Sequence, residues 1–306
     1  MAIDDLQAKI RKLKSPMMLS LCPLSASMPV HLMNKAIAQY GQTLQAVAQC
    51  YYRFCEEILH AMQDIFPAVS IETGCFSALG AEGVAVMQRV LQLAKELGYY
   101  VLLDLMRCDL PPAAEEMAQA CFGGISVGTQ TLTPYPCDGV LLSAAIGSDG
   151  IKPYADYIQS GKNVFLLART SNKSAREVQD LMCGDRMAYQ VPADLALRWS
   201  QEQAGKYGYC EIGIVAGLTN PSALQSLRKK YDKLFFLVPG LTTQGGHIKD
   251  TALCFDKLGH GGMILVGRSI LYAYQKKETD GSDFAQQAKN AALSLREQIL
   301  GYTMVI

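Results

Sequence analysis

Two groups of residues in this 306-residue sequence have types and spacing suited to chemistry. The first is a set of carboxylates, Glu72, Asp104 and Asp109, the last two bracketing the run Asp-Leu-Met-Arg-Cys-Asp. Carboxylates can hold a cation, move a proton or repel an anionic group on a substrate. The second is a pair of glycine-rich turns late in the chain. One is Pro239-Gly240-Leu241-Thr242-Thr243-Gln244-Gly245-Gly246 and the other is Val266-Gly267-Arg268-Ser269. Glycines at Gly245 and Gly267 let backbone N–H groups approach an anion, a following helix adds its positive end, and Arg268 adds a fixed two-pronged donor. Together they point to phosphate binding.

Those residues need elements to hold them. Short apolar runs alternate with longer amphipathic stretches, the pattern of parallel strands joined by crossover helices. Eight strands are expected: 17–22, 68–72, 100–104, 139–143, 164–168, 212–216, 234–238 and 263–266. Helical stretches are expected at 30–62, 81–97, 111–122, 152–159, 175–205, 221–230 and 246–258. Pro111 and Pro221 fall where a first helical turn tolerates proline. The stretch 178–206, which holds Trp199, is longer than one barrel helix requires and predicts an inserted turn. Eight alternations favour a closed (β/α)8 TIM barrel, class α/β, over an open sheet. With no linker-like composition or repeat, residues 1–306 read as a single domain. In such a barrel the chemistry belongs just after each strand, where the carboxylates and both turns fall.

Composition narrows the partners. The formal net charge is zero, from 28 basic and 28 acidic side chains, so nucleic acid and membrane surfaces are not expected partners. Residues 1–14 lack the apolar segment of a secretion signal, and no apolar run is long enough to span a bilayer. Ten cysteines are scattered singly, without the close pairs of a zinc site, and read as reduced, mostly buried thiols. The expectation is a soluble, cytoplasmic protein.

Several segments carry a family resemblance. "RTSN" (169–172), "VPGLTTQGG" (238–246) and "VGRSILYA" (266–273) resemble the longer bacterial orotidine 5'-phosphate decarboxylases. So do "SALGAEG" (77–83), "DLMRCD" (104–109) and "GSDGIKPY" (147–154). The resemblance implies a cofactor-free TIM barrel that removes CO2 from C6 of a pyrimidine nucleotide. It implies that Gln244, Arg268 and the backbone of Gly267 grip the phosphate, that Ser171 contacts the base, and that Asp109 reaches across a homodimer into the partner's site. The family motif D-x-K-x-x-D here reads with Met106 in place of its proton-donating lysine. A thioether neither carries charge nor donates a proton. Arg107, one residue along an extended strand, points to the opposite face. The second-strand lysine falls on Ser70, or on Glu72 with a two-residue slip. The ribose-binding Asp after the first strand is replaced within Leu21-Cys22-Pro23-Leu24, a motif Thr by Ala113, and an Asn-Pro-Tyr by Ser143-Ala144-Ala145.

Three readings follow. The first is a protein that binds a phosphorylated nucleotide or sugar, without cofactor, and has lost the decarboxylase activity. The second is a Mg2+-dependent sugar-phosphate lyase or isomerase using Glu72, Asp104 and Asp109. It leans on the likeness of Glu72-Thr73-Gly74 to the "E-x-G" of hexulose phosphate synthases and ketogulonate phosphate decarboxylases, which keep the motif lysine. The third is an active orotidine 5'-phosphate decarboxylase of pyrimidine biosynthesis with a rearranged site. Plainer roles stand beside these: Asp104 or Ser171 as a helix cap, Met106 as pocket lining, and Arg268 as a surface ion-pair partner.

Overall fold

The structure, a computed structural model, describes residues 1–200, 203–276 and 280–305. Eight parallel strands close into a barrel in chain order. They are β1 (Met17–Leu21), β2 (Ala68–Glu72), β3 (Tyr100–Arg107), β4 (Gly139–Leu142), β5 (Asn163–Arg169), β6 (Ile212–Ala216), β7 (Phe236–Val238) and β8 (Gly262–Val266). Closure comes from β1 pairing with β8, Met18 opposite Leu265. The expected strands all form, with ends shifted by a few residues.

The helices are α1 (Ala2–Leu13), α2 (Val30–Tyr40), α3 (Leu44–Met62), α4 (Thr73–Ser77), α5 (Gly80–Glu96) and α6 (Pro111–Ala118). They continue with α7 (Lys152–Ala155), α8 (Gln190–Trp199), α9 (Pro221–Lys230), α10 (Arg268–Leu271) and α11 (Phe284–Leu300). The single helix expected over 30–62 is two. Gly41, at φ 71, ends α2, and the Thr43 hydroxyl caps α3 by accepting from the Ala46 N–H at 3.2 Å. The stretch 175–205 is not one helix either. A 3-10 turn (Lys173–Glu177), a small hairpin (Met182–Cys183 with Arg186–Met187) and α8 fill its described part, and residues 201 and 202 lie outside the described residues. The inserted turn is thus a hairpin. The helix expected at 246–258 is a 3-10 segment, Ile248–Cys254. The 111–122 stretch ends in a π turn at Gln119–Gly123, followed by a hairpin of Ile125–Val127 with Gln130–Leu132.

Two apolar layers build the core. The larger lies between the barrel wall and its helices. The smaller fills the barrel interior with residues from strands all round the barrel, among them Met18, Ala68, Tyr100, Leu102, Phe165, Leu237 and Met263, together with Phe235 just before β7. Ile3, Leu6 and Ile10 of α1 join this inner layer, so α1 seals the N-terminal end. Polar contacts fix the seal: the Ile3 N–H donates to Glu211 at 3.3 Å and the Gly261 N–H to Gln7 at 3.1 Å. With that end closed, the accessible interior lies at the C-terminal ends. Among the described residues no helix is long and apolar enough to cross a membrane.

Candidate functional site

A cavity of about 470 Å³ opens at the C-terminal ends of the strands, and Ser20, Cys22, Glu72, Asp104, Met106, Ser171, Gln244, Gly267 and Arg268 are among its lining residues. A second cavity, of about 480 Å³, is lined by Met1, Lys152, Arg198, Trp199 and Glu211 and shares none of the expected site residues.

Pairing of β2 with β3 puts Glu72 opposite Asp104, so two inward carboxylates stand side by side. The Ser20 hydroxyl donates to Glu72 at 2.6 Å, and Thr73 Oγ1 donates to the Asp104 carbonyl at 2.9 Å, tying β1, β2 and β3 together at their ends. Asp104 is only 7 % exposed, and its Oδ1 has no hydrogen-bond partner. Burial first, and the charge of Glu72 second, push its carboxyl up to about 7 from an ordinary 3.8. It caps no helix. Ser70, the other residue expected at the position of the family's second-strand lysine, is fully buried two residues before Glu72 with its hydroxyl unpartnered. Glu72 is therefore the second-strand residue that meets the cavity.

Met106 occupies a distortion. The register between β3 and β4 runs Asp104 to Leu141 and then Arg107 to Leu142, so Leu105 and Met106 bulge out of the ladder. Met106 adopts φ 47 and is 58 % exposed at the cavity wall. The bulge leaves Arg107 outside the wall, where Nε and Nη2 hold the Asp109 carboxylate at 2.6 and 3.0 Å. Asp109 is not among the residues lining the cavity, and among the described residues the ligand atoms of Glu72, Asp104 and Asp109 do not all lie within 4.8 Å of one another.

The phosphate end forms from β7 and β8. Gly240, at φ 106, turns the chain, and a bridge between Leu241 and Gly246 closes the loop. Gly267 is required by closeness, since a Cβ there would stand 2.9 Å from the Ser20 carbonyl. Arg268 is exposed, makes no ion pair among the described residues, and reaches only Thr243 Oγ1 at 3.4 Å. Its guanidinium thus keeps donors free for an anion. Ser171 Oγ donates to Gln244 Oε1 at 2.8 Å instead of capping a helix, which couples the expected base and phosphate contacts. Gly245, exposed at φ 93, shapes the turn but does not line the cavity. Helix α10 is a single four-residue turn, too short to add the helix-end charge expected of it.

The expectation of singly scattered cysteines is corrected at one place. Cys22, after β1, and Cys75, in α4, are 53 residues apart in sequence, yet their sulfurs are 3.2 Å apart. Their hydrogen bond raises the Cys22 thiol and lowers that of Cys75. Adjacent strand ends were the available signal, because residues just after neighbouring parallel strands converge at one end of a barrel.

Comparison with known proteins places this geometry. The family model described as orotidine 5'-phosphate decarboxylase / HUMPS family matches residues 53–280. The chain is 33% identical over 250 residues to an orotidine 5'-phosphate decarboxylase of Clostridium perfringens, covering 81% of this chain and 83% of that one. It is 34% identical over 251 residues to a protein of that name from Clostridium tetani, with 81% and 83% covered. Among solved structures, a putative orotidine-monophosphate-decarboxylase from Toxoplasma gondii superposes with a TM-score of 0.77 at 26% identity, covering 98% of this chain and 97% of that one. With the barrel, the cavity and these likenesses in agreement, the chain belongs to the orotidine 5'-phosphate decarboxylase / HUMPS family.

Proposed function

We propose that this protein binds a phosphomonoester, a nucleotide or a sugar phosphate, in the cavity at the C-terminal end of the barrel, and that it does not decarboxylate orotidine 5'-phosphate. One observation carries the reading: of the residues lining the cavity, Arg268 is the one basic side chain, and it stands at the phosphate end, while Glu72 and Asp104 stand together at the other. A phosphate is met by Arg268, Gln244 and the Gly267 backbone. A carbanion is not met by anything. Decarboxylation leaves a negative carbon, and a cation about 4 Å away would contribute on the order of 4 kcal/mol to holding it. Here that neighbourhood offers two carboxylates and a thioether, which oppose the charge or ignore it.

A second copy of the chain is part of this reading. Leu110, Val127, Leu132 and Ile146, on segments following β3 and β4, are exposed apolar side chains of the kind an interface covers.

Isothermal titration with uridine 5'-monophosphate, ribose 5-phosphate and uridine tests the binding claim. Both phosphomonoesters are expected to bind and uridine is not. Equal binding of uridine would remove the phosphate end from the account.

A further inference from the structure

We propose that Cys22, Cys75 and Glu72 form a site for a thiophilic divalent cation of the zinc class, open to the cavity. Among the described residues these three donors lie within 4.8 Å of one another and come from the β1 end, α4 and the β2 end. Two thiolates and a carboxylate suit Zn2+, whereas Mg2+ prefers oxygen alone. Two sulfurs on a tetrahedral Zn2+, each about 2.3 Å from the metal, stand roughly 3.8 Å apart. The 3.2 Å seen here needs only a small side-chain rotation to match.

The surroundings support the site independently. The Ser20 hydroxyl orients Glu72, as an outer partner orients a ligand. The backbone at Cys22 is pinned by Tyr272, whose hydroxyl donates to the Cys22 carbonyl at 2.8 Å and accepts from the Leu24 N–H at 2.9 Å. The buried Asp104 side chain, level with Glu72 on the next strand, leaves Oδ1 without a partner. A dication bound there would offset the charge of Glu72 and of its neighbour Asp104. Of the three donors, Cys22 and Glu72 line the cavity, and three protein ligands would leave a fourth tetrahedral position for water or an oxygen of a bound molecule. This site goes beyond the phosphomonoester reading, and its test uses no such ligand, so the metal site and phosphate binding can fail separately; the absence of decarboxylation is claimed for the metal-free chain.

The test is Co2+ titration of the reduced, full-length chain without oxygen. Expected is one Co2+ per chain with thiolate charge-transfer absorption in the near ultraviolet, displaced by one equivalent of Zn2+. Cys75→Ser should weaken Zn2+ binding at least about tenfold and diminish that absorption. Glu72→Gln keeps both thiols and so guards against misfolding. It should retain the absorption but also weaken Zn2+ at least about tenfold. Cys108→Ser and Cys183→Ser, which alter exposed thiols, should bind as the parent does. Absence of the absorption, its survival in Cys22→Ser/Cys75→Ser, or unchanged affinity in Glu72→Gln would overturn the site. A Cys22–Cys75 disulfide forming in air in a chain that takes up no Co2+ when reduced would also overturn it.

Discussion

Asp104 sets the electrostatics of the chemical end, and its consequence is a pH dependence of stability. Its folded carboxyl titrates at about 7, above the ordinary 3.8, so between those values the folded chain binds more protons than the unfolded one. Stability contributed by this group is therefore complete below about pH 4 and is lost as pH rises towards 7. Buried Glu211, also pushed up to about 7, acts in the same direction. With a chelator present, urea unfolding at pH 5 and pH 8 should show Asp104→Asn flattening this loss, gaining on the order of 2 kcal/mol at pH 8 relative to the parent. An unchanged slope would mean that Asp104 is ionised at little cost. At the other end, Arg268→Ala should weaken uridine 5'-monophosphate binding by about 10- to 100-fold in calorimetry, the value of a charged hydrogen-bonding partner. Most of these residues were legible in the sequence, because glycine, arginine and carboxylates just after strands have few other uses there. The Cys22–Cys75 pair was not, because sequence distance hides what barrel closure brings together.

At the scale of elements, strands were readable and connections were not. A strand buried on both faces leaves a dense apolar run, as in Ile212–Ala216, whereas a helix boundary depends on one residue such as Gly41. Helix α1 carried a signal, apolar residues at Ile3, Leu6 and Ile10, but its role as a plug depends on a barrel to close. The bulge at Met106 had no sequence signature, since methionine has no preference for a left-handed backbone. One helix anchors the phosphate strands from below. Arg228 of α9 donates to the carbonyls of Leu234 at 2.8 Å, Gly261 at 2.6 Å and Cys254 at 2.7 Å, and its guanidinium stacks 3.7 Å from the Phe236 ring centre. Arg228→Leu should therefore cost about 2 to 4 kcal/mol in chemical unfolding by leaving these carbonyls unpaired. A loss under about 0.5 kcal/mol would show that they find other donors.

For the whole molecule, the chain closes the eight-stranded barrel of its family. The proposed reading, phosphate binding without decarboxylation, requires that binding and catalysis draw on different strand ends of one fold. The exposed apolar side chains after β3 and β4 belong to the same scale. Sedimentation should show a dimer that Leu110→Glu together with Val127→Glu converts to monomer, and a monomeric parent would remove that interface. The most direct test of the central claim is a single-turnover measurement. Excess protein is mixed with orotidine 5'-phosphate carrying a labelled carboxyl group, and released CO2 is counted over hours. The expected result is bound nucleotide with CO2 release no faster than in protein-free buffer. Stoichiometric release within seconds would contradict it, showing that the barrel stabilises the carbanion without either lysine.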